Sequence, residues 1–156
     1  GRHHDTNDGW SPDLVEEYRK RYTALVRIAG AMLGSRAEAE EVVQDAFVAV
    51  AHRRPDVRDV RPYVRRAVVN GAIGVLRRRD TARAFPPDPA PTGAPAQLIE
   101  LRDVLLRLPA RQRAVLVLRF VDDRSDDEIA AILDCRRATV RSLVARGLAS
   151  IRKELT

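Results

Sequence analysis

The stretch Ser125-Asp-Asp-Glu-Ile-Ala-Ala-Ile-Leu133-Asp-Cys-Arg-Arg-Ala-Thr-Val-Arg-Ser142 decides how the rest of the chain is read. Ser125 and Glu128 stand three apart. At that spacing a serine hydroxyl accepts from a free amide while the glutamate reaches back to the serine N–H. A short helix is therefore expected over Asp126 to Leu133, with Ile129, Ala130 and Leu133 inward. Asp134 to Arg136 interrupt it, and a final helix from Arg137 to Lys153 buries Val140, Val144 or Leu143, Leu148 and Ile151. Two helices joined by a three-residue turn have the layout of a helix-turn-helix. The second helix of such a unit lies in the major groove with its first turns against base edges, where short polar and basic side chains are wanted. Arg136, Arg137, Thr139, Arg141 and Ser142 occupy those places. The same spacing also suits a plain two-helix corner with a solvated basic face. Cys135 reads as a small buried residue of the turn, since nothing beside it would make it a reactive thiolate.

Working back toward the start, Val115, Leu116 and Leu118 after Pro109, and Leu98, Leu101, Val104, Leu105 and Leu108 before it, keep the helical period. Before them five of the nine prolines, Pro86, Pro87, Pro89, Pro91 and Pro95, fall in an Ala/Pro-rich stretch whose missing N–H groups forbid regular structure. That stretch reads as a flexible linker. Upstream, Ser11-Pro12 opens a helix with Leu14, Tyr18, Tyr22, Leu25, Ile28, Ala29 and Met32 on one face, and Gly34 closes it. Ser35 and Glu38 form another expected capping box, starting a helix with Ala39, Val42, Val43, Ala46, Phe47 and Val50 inward. It ends in the polar stretch His52 to Asp59. A third helix from Pro62 to Arg79 turns Tyr63, Val64, Ala67, Val68, Ala72 and Val75 inward and Arg65, Arg66, Arg77 and Arg78 outward. The fold class expected is all-α: two small helical domains joined by a Pro/Ala-rich linker, at residues 11–84, 85–96 and 97–156.

A net charge of +6 and a pI near 10.4 come mostly from arginine, whose fork matches phosphates and guanine edges, so a polyanionic partner is the leading expectation. Arginine surplus also follows from a GC-rich genome, so position has to decide. The single Cys135 permits no internal disulfide, and no Cys or His pair has metal-ligand spacing, so neither a metal nor another cofactor is expected. The longest apolar run, around Ala67 to Leu76, contains Asn70 and falls well short of the roughly 20 residues of a membrane span. No stretch reads as a signal peptide, and a reduced, cytoplasmic setting is expected. Neither a Gly-rich phosphate loop nor a nucleophile elbow is found, which argues against an enzyme and against a small-molecule substrate.

Two segments also carry a family resemblance. Glu41-Val-Val-Gln-Asp-Ala-Phe47 resembles the acidic signature of sigma region 2, and Asn70 followed by Arg77-Arg-Arg79 resembles that region's promoter-contacting helix. Leu108-Pro-Ala-Arg-Gln-Arg-Ala-Val-Leu-Val-Leu-Arg119 is similar to the opening of sigma region 4, continued by Asp127 to Leu133 and Thr139-Val-Arg-Ser142. The chain thus resembles the extracytoplasmic-function (ECF) sigma factors of the sigma-70 family from Leu14 to Leu155. The resemblance implies an alternative sigma factor that binds core RNA polymerase and directs promoter-specific initiation. It implies that Glu41, Gln44 and Asp45 meet the β′ coiled coil, with Phe47 as core support. Arg61, Arg65, Arg66, Asn70, Arg77 and Arg78 would hold the opened minus-ten element. Arg136, Arg137, Thr139, Arg141, Ser142 and Arg146 would read the minus-thirty-five duplex while the same region docks on the β flap. The linker would thread the RNA exit path, and an anti-sigma protein is a further partner in many relatives. Four positions depart from the family pattern: Gly74 replaces a frequent acidic residue, Asp134 and Ala138 replace glycines, and Leu143 replaces a frequent arginine. A free-standing helix-turn-helix regulator is the main rival, but the first half offers a docking signature where such a protein would carry a sensor domain. A sigma-like decoy for another factor is a further rival.

Overall fold

The computed structural model describes residues 9–53, 57–81 and 87–155. Arg83, Phe85 and Pro86, and the middle of the His52 to Asp59 stretch, lie outside them. The described residues form seven helices and no strand.

Helix α1 (Pro12–Leu33) begins where the Ser11 hydroxyl accepts the Leu14 N–H at 3.2 Å, with Pro12 at a position that needs no donor. It stops at Gly34, whose φ of +73° is cheap for glycine. Gly34 is needed for a second reason, because a Cβ there would stand 3.1 to 3.2 Å from Leu106 and Pro87. Helix α2 (Arg36–Arg53) follows at once. The forward half of its expected capping box forms, Glu38 N–H donating to Ser35 Oγ at 3.2 Å, while the Glu38 carboxylate engages Arg79 of the next helix. Helix α3 (Arg61–Thr81) starts beside Asp59, which accepts from the Arg61 backbone N–H. Trp10, Tyr18, Tyr22 and Phe47 then interlock between α1 and α2, with the Phe47 ring 5.0 Å from Tyr18 and 5.9 Å from Trp10.

The second half is built on α5 (Ala110–Phe120), in which Ala114 to Leu118 are all buried. A helix buried on every side must have neighbours on every side. Helix α7 (Arg137–Leu155) and α6 (Asp126–Leu133) pack on one flank of α5, and α1 and α3 on the other. Gly147 lets α7 approach closely, since a Cβ there would lie 2.9 Å from Leu116 Cδ1. Both Leu143 and Val144 are buried, so the two alternatives for the inward face of α7 are both filled. In α4 (Ala96–Leu105), Val104 is buried but Leu98 and Leu101 stay 58% and 38% exposed despite their helical spacing.

Two further details depart from the sequence expectation. The inward face of α3 is wider than its predicted stripe: Val64, Val68 and Ala72 are buried as expected, and so are Val69, Ile73 and Leu76. Tyr63, Ala67 and Val75 are only partly covered, along the edge facing α2. The cause is that α3 is covered from two directions, by α1 and α2 and also by α5 and α6. The described part of the linker is also less free than its prolines suggest. Asp88 donates its N–H to Gly34 O at 2.7 Å, accepts the Arg36 N–H on its carboxylate at 2.8 Å, and accepts Arg102 on its carbonyl. It thereby caps α2 from the far side of the linker.

The join between the halves is a continuous apolar core with arginines set into it. Helix α1 has no basic residue in its last turn, and its final carbonyls would be left without donors. Arg113 from α5 donates to Met32 O at 2.7 Å, and Arg79 from α3 donates to Leu33 O at 3.0 Å. Arg113 also holds Leu106 O and Leu108 O at 2.6 and 2.8 Å. Phe47→Ala is expected to cost about 3 to 5 kcal/mol in a denaturant titration, because it empties the centre of the aromatic cluster. Gly147→Ala should lower the melting temperature despite gaining about 1 kcal/mol of helix propensity, because Leu116 must move.

Candidate nucleic-acid interface

The surface of α7 is prepared by α6. Both halves of the Ser125 capping box form, Glu128 N–H to Ser125 Oγ at 3.1 Å and Ser125 N–H to Glu128 Oε1 at 2.9 Å. The Ser125 N–H holds the Glu128 carboxyl below its ordinary range. Asp134 ends α6 in the left-handed conformation at φ +53°, which aspartate tolerates better than most residues. The chain then enters α7 with Val140, Leu143 and Val144 fixed in the core. Arg136, Arg137, Arg141, Ser142 and Arg146 are consequently exposed, and Thr139 is half-buried among them. Arg137 lies 3.7 Å from Asp127, an exposed pair worth little in water. Cys135, expected to be buried, is partly buried and packed against the core edge.

A second surface lies between α2 and α3, where a groove of about 830 Å³ is bordered by groups of opposite sign. Glu41 and Asp45 rise from the α2 side, and Arg66, Asn70 and Arg78 from the α3 side, with Tyr63 in the wall. Gln44 is exposed on α2 and donates its amide to the Tyr22 hydroxyl at 3.4 Å, while that hydroxyl donates to Glu40 at 3.3 Å. The three expected polymerase-facing residues therefore share the exposed side of one helix, backed by the aromatic cluster. Arg77 is also exposed on α3.

Arg61 and Arg65 stand apart from this groove. Arg61 is forked onto Asp59, which raises the guanidinium pKa and lowers that of the carboxyl. Arg65 meets Asp122, just past the end of α5, through Nε at 2.9 Å and Nη2 at 3.4 Å, with both side chains largely covered. Arg66 lies 3.9 Å from the Asp134 carboxylate. Sequence reading gave no role to Asp122 or the buried Glu17 and read Tyr22 only as part of the inward face of α1, since Asp122 and Tyr22 act through residues distant along the chain and Glu17 through its burial. Burial pushes the Glu17 carboxyl above its ordinary value, against the pull of Arg21, Arg65 and Arg61. No group of His, Cys, Asp or Glu among the described residues could hold a metal ion, and no described helix is long and apolar enough to cross a membrane.

Residues 14–82 match the family Sigma-70 region 2, and residues 98–151 match Sigma-70, region 4. The RNA polymerase sigma-E factor of Streptomyces coelicolor is 34% identical over 90% of this chain and 85% of its own. The ECF RNA polymerase sigma factor SigM of Mycobacterium tuberculosis is 31% identical over 97% and 81%. This chain belongs to the ECF sigma factors. As a sigma factor it directs promoter-specific transcription by RNA polymerase and is not itself an enzyme. Its partners are accordingly core polymerase and promoter DNA. Its fold resembles that of the sigma factor RpoE from Bartonella quintana, solved with the anti-sigma factor NepR, at a TM-score of 0.73 and 21% identity over 93% of this chain and 98% of that one.

The sign of the Glu17 effect follows from its raised pKa. A carboxyl that binds its proton more tightly when folded supports folding fully at low pH and loses that support as pH rises through and above the ordinary value. Glu17→Gln should therefore melt higher than the parent sigma factor at neutral pH and close to it near about pH 4.

Proposed function

We propose that this sigma factor divides its work between residues 11–84 and 97–156, joined by 85–96, with each part holding one promoter element and one site on polymerase. The observation that carries the reading is the two-signed groove of the first bundle, which sets a docking edge and a nucleic-acid edge on adjacent helices. On its α2 edge, Glu41, Gln44 and Asp45 suit a basic protein surface such as the β′ coiled coil. On its α3 side, Asn70 offers both a donor and an acceptor to a base edge, with Arg66 and Arg78 beside it and Arg77 exposed on the same helix for phosphates, while Arg61 and Arg65 would join them only on leaving Asp59 and Asp122. Unstacking a base costs a few kcal/mol. Stacking on an aromatic ring such as Tyr63 returns about 1 to 3 kcal/mol, so hydrogen bonding at Asn70 is required to complete the offset.

In the second bundle Arg136, Arg137, Thr139, Arg141, Ser142 and Arg146 read the minus-thirty-five duplex from the major groove. The uncovered Leu98 and Leu101 of α4 supply an apolar contact suited to the β flap. Action on polymerase places the protein in the cytoplasm. An anti-sigma protein is a further partner on this reading, supported by the Bartonella quintana neighbour having been solved with one.

Addition of the chain to core RNA polymerase should yield transcripts from a subset of a genomic promoter pool; the absence of any would overturn the reading. Arg141→Ala should weaken upstream selection by about 1 to 3 kcal/mol if the side chain meets a base, or reduce the salt slope by about one if it meets only phosphate. Asn70→Ala holoenzyme should keep its upstream footprint and lose permanganate-detected strand opening, whereas equal loss of both would indicate misfolding.

A further inference from the structure

The hydroxyl of Tyr22 stands between two side chains of α2 that lie one helical turn apart, Glu40 and Gln44. It donates to Glu40 Oε2 at 3.3 Å and accepts from Gln44 Nε2 at 3.4 Å. Chemistry fixes the direction of both bonds. Glu40 also meets Arg36 Nε through its other oxygen at 3.3 Å, and a carboxylate held in such a pair can only accept. A phenol carries a single proton, so once that proton is given to Glu40, Gln44 can satisfy the same oxygen only with its NH2 group. The Gln44 carbonyl oxygen is thereby left for a donor from outside. Packing places the phenol in turn, since the Tyr22 ring lies 4.9 Å from that of Tyr18, which meets Phe47 at 5.0 Å.

Glu41, Gln44 and Asp45 are exposed together on α2. The two carboxylates accept through either oxygen and need no orienting, but an amide has a donor end and an acceptor end. Of the three, only Gln44 has a sign toward a partner that depends on which way round it is held. We propose that Tyr22 is a positioning residue for polymerase docking: its hydroxyl, oriented by Glu40, holds the Gln44 amide so that the edge of α2 presents acceptors at Glu41, Gln44 and Asp45. This rests on the reading of that edge as the polymerase-docking surface. The partner group that fits it is a donor-only cation, guanidinium or ammonium, and an amide turned the other way would set its own N–H groups against that cation. Arg36 and Glu40 act on the docking edge only through the phenol.

The test titrates the whole, fluorescently labelled chain with core RNA polymerase and follows the melting of the free chain in parallel. Tyr22→Phe keeps the ring and removes the hydroxyl. It should weaken polymerase binding about fivefold, the worth of one neutral hydrogen bond, and leave the melting temperature nearly unchanged. In a Gln44→Ala background the same change should cost nothing more, whereas beside Asp45→Ala its loss should persist in full. Gln44→Glu accepts at both oxygens, so in that background too Tyr22→Phe should cost little. A loss that persists whatever stands at position 44 would mean a structural role for the hydroxyl and overturn the proposal. Unchanged affinity of Tyr22→Phe, with Gln44→Ala weakened, would overturn it as well and leave the docking edge standing. Unchanged affinity of Glu41→Ala, Gln44→Ala and Asp45→Ala alike would remove the docking reading itself, and the role of Tyr22 with it. Should Tyr22→Phe fold poorly, Glu40→Ala serves, because it frees the phenol proton for the Gln44 carbonyl; its loss should shrink in the Gln44→Glu background, and a loss of the same size there would overturn the proposal.

Discussion

The last carbonyls of α1 are the point on which the packed molecule depends. A helix of this length ends in oxygens that lack partners of their own, and this one carries no lysine or arginine near its end to meet them. Arg79 and Arg113 bring charge from α3 and α5, one from each half of the chain, to Leu33 and Met32. A buried arginine is tolerable only if its donors are used, and Arg113 uses its reach on three carbonyls from two bundles. Gly34 completes the arrangement, because only a residue without a side chain leaves room for Leu106 and Pro87 beside that helix end. The covalent linker, tied back through Asp88 to the same corner, adds a third hold.

The polar groups at this join cover some arginines and leave others exposed. Apolar packing alone would press the bundles together without regard to which arginines were covered. The ion pairs choose: α7 keeps its exposed cations, and the α2–α3 groove stays open, while Arg65 is drawn inward. Buried pairs contribute little net stability compared with apolar packing, yet losing one partner is expensive. The apolar remainder of the interface, around Ala114 to Leu118 with Val69, Ile73 and Leu76, supplies most of the hold between the halves.

The aromatic cluster plays a different part. Trp10, Tyr18, Tyr22 and Phe47 bind α1 to α2 directly behind Gln44, so the proposed docking edge rests on packed rings. The α6–α7 unit gains its rigidity from the Ser125 box on one side and from Val140, Leu143 and Val144 on the other. Both proposed binding faces are thus backed by packed side chains, which limits the entropy lost when a partner arrives.

Much of this was legible in the residues. Caps at Ser11 and Ser125, the stop at Gly34 and the period of α1, α2 and α7 are local properties, set by neighbours within a turn or two, and they predicted helices within a residue or two of those observed. The exposed arginines of α7 were readable for the same reason, since helical spacing assigns a face, whereas the row Glu41, Gln44 and Asp45 was singled out only by the family resemblance. The burial of Val69, Ile73 and Leu76, the exposure of Leu98 and Leu101, and the role of Asp122 were not, because each depends on which distant helix arrives at that surface. Periodicity tells a helix which side is apolar. It cannot state how many neighbours will cover it, and a charged residue does not reveal in its own segment whether its partner will be solvent, nucleic acid or a carboxylate more than fifty positions away, as with Arg65 and Asp122.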